Sequence, residues 1–509
     1  MTIGDKKDSR YRLIFLILSL IGVGIVFLST SRYGVGISPD SVAYISSAKS
    51  LLSGSGYLLY NGRPLVDWPP LFPTLLATLG LVGISPIEGA RLVNAIVFGL
   101  IIFSSGQLFL GYLKSKTLAL CGAVFILLSV PLLTVSVMAW TESLFILLAI
   151  LFLIQLGKFL EYRRFGPILL LAVISALACL QRYVGVLIIA AGFTGILFPN
   201  PNISLLRRLK QGFLFGLMSS LPLLLWIARN YFLASSLAGV RPPVEYTLLK
   251  NIILTCDTVT GWFLPPRIPL LARLSTAGLV ATLFTAAFIS RDQIEKRKYT
   301  QLVQIWFIGA FIFLYTVFVV VGASFYAALG PIGERFLAPL YVFILFLLFI
   351  GADSTWQKLK HSDRNRKISL IFASVWLTAW LVLSVFRISE CVYYRMKDGA
   401  GVFTTTIWIK SPLLDSLRSK PLDGRIFSNA PDAIYILTGI VAQLSPSRYE
   451  DNLEKIKSMS TEERSYLVWF ENVDRPHLYS QPVLASRLEL EEVDRYPDGT
   501  IYLIKSPRQ

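Results

Sequence analysis

The fold is decided by residues 38–77, which are SPDSVAYISSAKSLLSGSGYLLYNGRPLVDWPPLFPTLLA. This stretch follows one apolar run and contains two carboxylates, Asp40 and Asp67, on either side of a turn rich in glycine and tyrosine. Such a segment cannot cross a bilayer, because its backbone N–H and C=O groups would be unpaired in lipid. We therefore predict a loop at 31–72 that presents acidic and aromatic side chains at the membrane surface.

The composition is that of a membrane protein. Of 509 residues, 54% are hydrophobic and only 16% are charged, whereas soluble chains carry about 25% charged residues. The net charge of +17 lies in the apolar part, because residues 1–388 hold 33 basic and 14 acidic residues, and residues 389–509 hold 15 and 17. The basic excess falls in short loops between apolar runs, which indicates membrane topology and not a nucleic-acid partner.

Apolar runs predict an all-α polytopic membrane protein whose multi-span domain covers residues 1–388. A transmembrane helix needs ~20 mostly apolar residues, and on this basis we predict about eleven spans. Gln181 and Arg182 alone separate the fifth span from the sixth, and the run at 72–82 could be re-entrant. The predicted spans are 13–29, 91–112, 117–137, 144–157, 167–180, 184–198, 213–227, 271–290, 302–322, 336–350 and 368–386.

Basic loops predict the orientation in the cell membrane. Six basic segments lie on one side of an eleven-span arrangement, so the positive-inside rule places the N-terminus in the cytoplasm. Asp353 then lies among basic residues on the inner side and is expected to be a solvated charge. The basic segments are 6–12, 114–116, 158–164, 207–210, 291–298 and 358–367.

An odd number of spans places residues 389–509 outside the membrane as an extracytoplasmic C-terminal domain. This part has no apolar run long enough to span a bilayer. Strand patterns at 464–470 and 501–504, and a strand followed by a helix start within 424–439, predict a small α/β domain.

Several kinds of chemistry are excluded by what the sequence lacks. It has only two histidines, at 361 and 477, so histidine-based acid–base catalysis at the outer face is not expected. The four cysteines show no CxxC spacing. Neither a P-loop nor a GxGxxG after a strand occurs, and we therefore expect no nucleotide cofactor.

Two carboxylates at predicted outer helix ends are the candidates for catalysis. Asp40 precedes a helical run and is either a general base or a helix-cap acid. Glu142 follows Thr141 at the start of the fourth span, where an unpaired charge is costly. Glu142 is therefore either a functional acid or a first-turn acid favoured by the helix dipole. Together they could position a divalent cation, although two oxygens are too few to specify one.

Three arginines lie at the outer membrane edge, namely Arg182, Arg229 and Arg335. A guanidinium fork matches phosphate oxygens, so each is a candidate ligand for a lipid phosphate. The alternative is that the side chain extends to the lipid headgroups. Glu334, next to Arg335, is expected to form an ion pair with it.

Aromatic residues of the first loop are candidates for contacts with a substrate. Trp68 follows Asp67, and a tryptophan in this position is either a membrane-interface anchor or a surface for a sugar ring. Tyr44, Asp67 and Trp68 are the predicted substrate-binding residues of this loop.

The order of these motifs resembles that of the GT-C superfamily of integral-membrane glycosyltransferases. The branch it resembles contains the bacterial relatives of the dolichyl-phosphate-mannose protein mannosyltransferases and the aminoarabinose lipid A transferase. The resemblance covers about the first three-quarters of the chain. Protein mannosyltransferases have an adjacent Asp-Glu pair in the first loop, whereas Asp40 is followed here by Ser41. The matching motifs are Asp40, the block WPPLFP, Thr141-Glu142, WIARN at 226–230 and Glu334-Arg335-Phe336.

The resemblance implies a hexosyl- or pentosyltransferase of the cell envelope. Its donor would be a sugar linked to polyprenyl phosphate, and its acceptor a hydroxyl of a glycan, lipid or protein outside the membrane. Asp40 would be the general base, and direct displacement would invert the anomeric carbon. The alternatives are a transporter or flippase of a lipid-linked sugar, and a polysaccharide polymerase or ligase. A transporter would place its charges near mid-membrane in repeated halves, whereas the polar residues here gather at the outer ends.

Overall fold

A computed structural model describes residues 3–239, 244–289, 298–326, 331–359, 363–448, 464–473 and 475–507. Long helices fill most of the described chain as far as Asp398, and the five described strands follow. The described helices are α1 (Ile3–Ser29), α2 (Pro39–Leu52), α3 (Leu71–Leu81), α4 (Pro86–Tyr112), α5 (Lys116–Leu127), α6 (Val130–Ser136), α7 (Glu142–Tyr162), α8 (Phe165–Gln181), α9 (Val186–Leu197), α10 (Leu205–Ala234), α11 (Leu248–Phe263), α12 (Leu270–Ile289), α13 (Tyr299–Phe325), α14 (Glu334–Leu359), α15 (Asp363–Asp398), α16 (Thr406–Ile409), α17 (Pro412–Ser419), α18 (Pro431–Thr438) and α19 (Gln481–Arg487).

Seven helices of the described chain, α1, α4, α7, α10, α13, α14 and α15, are long and apolar enough to cross a membrane. An eighth candidate is the pair α5–α6, which passes the same test as one unit bent by 47°. The other three predicted spans fall on α8, α9 and α12, whose apolar stretches have only 10–17 residues. The prediction of a multi-pass α-helical membrane protein is thus confirmed, but the count of about eleven spans is not.

The interruption between the fifth and sixth predicted spans has a structural basis. Helix α8 ends at Gln181, and Arg182 adopts an extended conformation with φ −150° and ψ 136°. A short 3₁₀ turn, Tyr183–Gly185, then leads into α9. The break places the side chain of Arg182 at a helix end and not within a continuous span.

Asp353 corrects one prediction about the inner side of the protein. It lies on α14 and is only 3% exposed, so it is not a solvated loop charge. Its carboxylate accepts the backbone N–H groups of Lys114 and Ser115, at 3.0 and 3.1 Å. Those N–H groups lie at the start of α5, where helical partners are missing, so Asp353 caps a helix that is distant in sequence.

The predicted loop at 31–72 contains helix α2, a hairpin at 57–65 and the beginning of α3. Pro39 occupies the first turn of α2, where backbone N–H groups make no hydrogen bond within the helix, so the lack of an N–H on proline costs nothing. The N–H of Ser38 donates to Oγ of Ser41 at 3.1 Å, which reinforces this helix start. Asp40 is thereby held in the first turn of a short helix beside the membrane.

The C-terminal domain contains a five-stranded sheet of order β2-β1-β3-β5-β4, which confirms the predicted small α/β domain. β1 is parallel to β2 and β3, while β5 is antiparallel to β3 and β4. The predicted boundary at 388/389 falls inside α15, which continues to Asp398. The strands are β1 (Arg425–Ser428), β2 (Gln443–Leu444), β3 (Ser465–Phe470), β4 (Leu488–Tyr496) and β5 (Gly499–Pro507).

The C-terminal domain packs against the first loop. One buried apolar cluster includes Val42 and Ile45 of α2 together with Leu413, Ile434 and Val468 of the C-terminal domain. Because removing apolar surface from water is the main driving force for such packing, the helix that carries Asp40 and the C-terminal domain stabilise each other.

Candidate functional site

Two helix starts are held side by side by a short backbone bridge. The N–H of Gly36 donates to the carbonyl of Val137, and the N–H of Ala139 donates to the carbonyl of Gly36, both at 2.8 Å. A Cβ at Gly36 would collide with Sδ of Met138, so the close approach requires glycine. The bridge brings the first turn of α2, with Asp40, next to the first turn of α7.

Side chains reinforce the same junction. Nε1 of Trp140 donates to Oγ of Ser38 at 2.7 Å. Asn94 of α4 is fully buried and donates to the carbonyls of Met138 and Trp140, at 2.6 and 3.1 Å. The turn that precedes α7 is therefore fixed to α2 on one side and to α4 on the other.

Arg335 joins the two candidate carboxylates. Its Nη2 lies 2.5 Å from Oδ2 of Asp40, and its Nε lies 2.7 Å from Oε1 of Glu142. The guanidinium also lies over the indole of Trp140, 4.1 Å from the ring centroid, an arrangement that favours a cation. The structure thus brings Asp40, Glu142 and Arg335 together from three distant parts of the sequence.

Arg182 completes this charge cluster. Its Nη1 lies 2.5 Å from Oε1 of Glu142 and donates to Oγ1 of Thr141 at 3.0 Å. Glu142 is completely buried, and such a charge requires charged partners to offset its desolvation. Its second oxygen, Oε2, has no hydrogen-bond partner within the described part of the chain and can accept another bond. Two carboxylates and two guanidiniums make the cluster electrically balanced.

Tyr44 lies on α2 one turn beyond Asp40 and is 2% exposed. Its ring makes edge contacts with Trp68 and Phe72, with centroids 6.1 and 5.5 Å apart. Burial, and secondly the negative charges of Asp40 and Glu142, raise the pKa of Tyr44 well above its usual range. Its hydroxyl therefore remains protonated and can donate a hydrogen bond.

The other candidates of the first loop take two positions. Trp68 is half-buried and packs on Tyr44, which links it to the helix of Asp40. The carboxylate of Asp67 lies so close to Gly239 that a Cβ atom on residue 239 would collide with it. Gly239 has φ +77°, a conformation that glycine adopts without strain.

Arg229 has different partners from Arg182 and Arg335. Its Nη1 donates to the carbonyl of Leu65 at 2.7 Å and to Oδ1 of Asn230 at 3.0 Å. Its guanidinium also lies over the indole of Trp226, 4.4 Å from the ring centroid. These contacts hold the first loop against the end of α10.

A second polar group near the same helix ends was missed from the sequence. Nη2 of Arg395, in the last turn of α15, donates to Oγ1 of Thr134 at 2.8 Å. The Thr134 hydroxyl also lies 3.3 Å from Oε2 of Glu334. Glu334 therefore contacts Thr134, and the expected Glu334–Arg335 pair is not among the ion pairs of the described residues. Arg395 could have been noticed as an arginine shortly after the last predicted span, 368–386.

The cluster fits a divalent cation poorly. Calcium takes six to eight oxygen ligands, and magnesium requires near-ideal octahedral geometry. Over the described ranges, no group of three or more His, Cys, Asp or Glu residues could hold a metal ion. The guanidinium of Arg335 already bridges Asp40 and Glu142. A metal at these two carboxylates remains a prediction.

The fold is similar to that of two solved proteins, ArnT and the arabinofuranosyltransferase AftD. Crystal structures of ArnT from Cupriavidus metallidurans, one bound to undecaprenyl phosphate and one in the apo state, both superpose with a TM-score of 0.60. Their identities to this chain are 13% and 12%, and each comparison covers at least 96% of both chains. A cryo-electron microscopy structure of the arabinofuranosyltransferase AftD from Mycobacteria gives a TM-score of 0.55 at 15% identity. This comparison covers 97% of this chain but 40% of AftD.

No protein-family model matches the chain, and no curated protein sequence matches it. The likeness to ArnT and AftD therefore rests on three-dimensional structure. It shows the fold, and the chemistry has to be argued from the residues of this chain.

Proposed function

We propose that this protein is a glycosyltransferase that moves a sugar from a polyprenyl-phosphate donor to an acceptor hydroxyl outside the cell membrane. The observation that carries the proposal is the convergence of Asp40 and Glu142 on Arg335, at the ends of helices that begin beside the membrane. The GT-C fold and the undecaprenyl phosphate bound by ArnT support this donor class. The acceptor is a glycan, lipid or protein of the cell envelope.

Asp40 is the general base of the proposed reaction. It accepts the proton of the acceptor hydroxyl while that oxygen attacks the anomeric carbon of the sugar. The bond between the anomeric carbon and the phosphate oxygen breaks, and polyprenyl phosphate leaves with the electron pair. Direct displacement of this kind inverts the configuration at the anomeric carbon.

Arg335 occupies one of the two oxygens of Asp40. In the proposed reaction the donor draws Arg335 away from Oδ2 of Asp40, which makes this oxygen a better proton acceptor. The donor phosphate is a strong competitor, because guanidinium forms charge-assisted hydrogen bonds with phosphate as well as with carboxylate. Binding of the donor to Arg335 would therefore free the base and stabilise the departing phosphate in one step.

The remaining site residues have supporting roles in the proposal. Glu142 holds Arg182 and Arg335 in place through one oxygen. Arg182 adds positive charge beside the leaving phosphate, whereas the bonds of Arg229 to the first loop assign it to positioning that loop. Trp68 provides an aromatic surface for the sugar, and the buried Tyr44 supports the Trp68 ring. Asp67 remains a predicted substrate-binding residue.

The substitution Asp40→Asn tests the proposal, because it keeps the size of the side chain and removes the base. We expect transfer from a synthetic prenyl-phosphate sugar to fall ~10²–10⁴-fold, the usual effect of losing a general base, while binding of the donor persists. Asp415→Asn is the matched control, since Asp415 is also a first-turn aspartate but is 61% exposed.

Two results would overturn the proposal. Full transfer by the Asp40→Asn variant would remove Asp40 from catalysis. Movement of the sugar lipid across liposomes without any transfer, in the wild-type protein, would replace the glycosyltransferase with a flippase.

A further inference from the structure

The hairpin at residues 57–65, here called the first-loop hairpin, is anchored on its membrane side by α10. Arg229 donates to the carbonyl of Leu65 at 2.7 Å and reaches that of Tyr57 at 3.5 Å. The ring of Tyr57 makes an edge contact with Trp226, with centroids 5.1 Å apart. These bonds fix the two ends of the hairpin and leave its tip to be held by something else.

The tip is held by the C-terminal domain. The ring of Tyr60 stacks on Tyr435, with centroids 4.5 Å apart and planes inclined by 15°. The Tyr60 hydroxyl donates to Oδ1 of Asp432 at 3.2 Å, and Arg475 binds the other oxygen of Asp432 at 2.8 Å. Burial, and secondly the charge of Asp432, raise the pKa of Tyr60 well above its usual range, so the hydroxyl remains a donor.

The hairpin continues directly into the site. The carbonyl of Val66 accepts the hydroxyl of Tyr183 at 2.8 Å, and Tyr183 adjoins Arg182 in the chain. Two residues beyond Val66, Trp68 packs on Tyr44 of the helix that carries Asp40. A displacement of the hairpin would therefore disturb the surroundings of both Arg182 and Asp40.

We propose that Tyr60 and Asp432 are positioning residues that form a latch, through which the C-terminal domain keeps the first-loop hairpin docked. The docked hairpin holds Trp68 on Tyr44 and so keeps Asp40 in register with Glu142. The C-terminal domain thus helps to position the residues of the candidate site. The kinetic consequence rests on the proposed transfer reaction, whereas the position of the hairpin can be measured without it.

The geometry of the latch favours positioning over simple packing. Asp432 lies in the first turn of α18, where the helix dipole favours its charge, and it is 18% exposed with a full charge partner in Arg475. Asn61 and Gly62, which follow Tyr60, are exposed. The hydroxyl of Tyr60 thus supplies a directional bond at the last covered residue before an exposed turn.

The test compares Tyr60→Phe, Asp432→Asn and the double variant in the full-length protein. Tyr60→Phe keeps the ring that stacks on Tyr435 and removes only the hydroxyl. Tyr502→Phe is the matched control, because the Tyr502 hydroxyl bonds to Gln481 within the C-terminal domain. We expect Tyr60→Phe to lower kcat about tenfold, the effect of one hydrogen bond to a charged group, with an unchanged melting temperature and a donor KM within about twofold.

The position of the hairpin is measured by electron–electron resonance between spin labels on cysteines introduced at Asn61 and Lys420, both of which are exposed. The four native cysteines are buried or half-buried, so the introduced ones react first. In the wild-type background we expect a narrow distance distribution, and in Tyr60→Phe a broad one. Asparagine keeps an acceptor oxygen, so Asp432→Asn weakens the Tyr60 bond by removing the charge of its acceptor. The double variant should therefore resemble Tyr60→Phe, which has already removed that bond.

The latch is refuted if Tyr60→Phe and Asp432→Asn match Tyr502→Phe in both kcat and label distance, or if their effects simply add. If Asp432→Asn lowers the melting temperature, the test rests on kcat and the label distance of the more conservative Tyr60→Phe. If the wild-type protein transfers no sugar, the proposed function fails, and the label distances still confirm or refute the latch.

Discussion

Replacing Glu142 with glutamine tests the balance of the charge cluster. The substitution keeps the shape of the side chain. Among the described residues, it leaves Arg335 paired with Asp40 and removes the carboxylate partner of Arg182. Removing one partner of a buried ion pair costs ~3–5 kcal/mol, because the remaining charge is uncompensated. Glu142 is fully buried, while Arg182 and Arg335 are 17% and 22% exposed and retain some access to water. We therefore expect the lower end, ~3 kcal/mol, which corresponds to about a 150-fold change in the unfolding equilibrium.

The assay is reversible unfolding in mixed micelles, compared with Glu88→Gln as the control. Glu88 is also a first-turn acid of a long apolar helix, but it is 55% exposed and 3.4 Å from its partner Arg91. An exposed pair of this kind contributes at most ~1 kcal/mol. Equal losses of stability in Glu142→Gln and Glu88→Gln would show that Glu142 does not hold the two arginines, and the account of the site would be wrong.

Three further predictions concern the same site and its surroundings. Arg335→Lys should retain the positive charge but lose the guanidinium fork, so we expect the donor KM in the transfer assay to rise at least tenfold. The control is Arg387→Lys, because the guanidinium of Arg387 contacts the carbonyls of Gly261 and Trp262. A cysteine at Lys420 should react with an impermeant reagent from outside intact cells, and one at Arg164 only after permeabilisation, because the basic loops predict a cytoplasmic N-terminus; the reverse pattern would contradict the orientation. Because Arg335 bridges Asp40 and Glu142, we expect transfer to survive incubation with EDTA; a loss that magnesium or calcium restores would instead support the cation predicted at these two carboxylates.

The parts of the structure that the sequence predicts are those governed by local rules. The length of apolar runs identifies the main spans, and the polar break after Gln181 places Arg182 at a helix end. The position of charges at outer helix ends singles out Asp40 and Glu142, because an isolated charge there is costly. These inferences need only the neighbouring residues and the chemistry of lipid.

The partners of these residues depend on contacts between distant segments, which no local rule supplies. Arg335 could have paired with its neighbour Glu334, yet it reaches Asp40 and Glu142. Asp353 has the local sequence of a solvated charge, but it caps the start of α5. Helix α11 also lies between the predicted spans 213–227 and 271–290, where the sequence predicted no span. In each case tertiary packing determines the outcome.

The balanced charge of the cluster leads to a last consequence for substrate choice. The negative charges of Asp40 and Glu142 are offset by the positive charges of Arg182 and Arg335. Without substrate, the cluster therefore holds no excess charge that would pull Arg335 away from Asp40. In the proposed reaction the donor phosphate adds negative charge beside Arg335 and competes with Asp40 for it. A neutral glycolipid cannot do so, and Asp40 then stays engaged whichever sugar is present. The requirement for a phosphate-linked donor would thus arise from release of the base as well as from binding. In the transfer assay a neutral glycosyl lipid should therefore give no transfer, and transfer from it at the rate of the phosphate-linked donor would contradict this account.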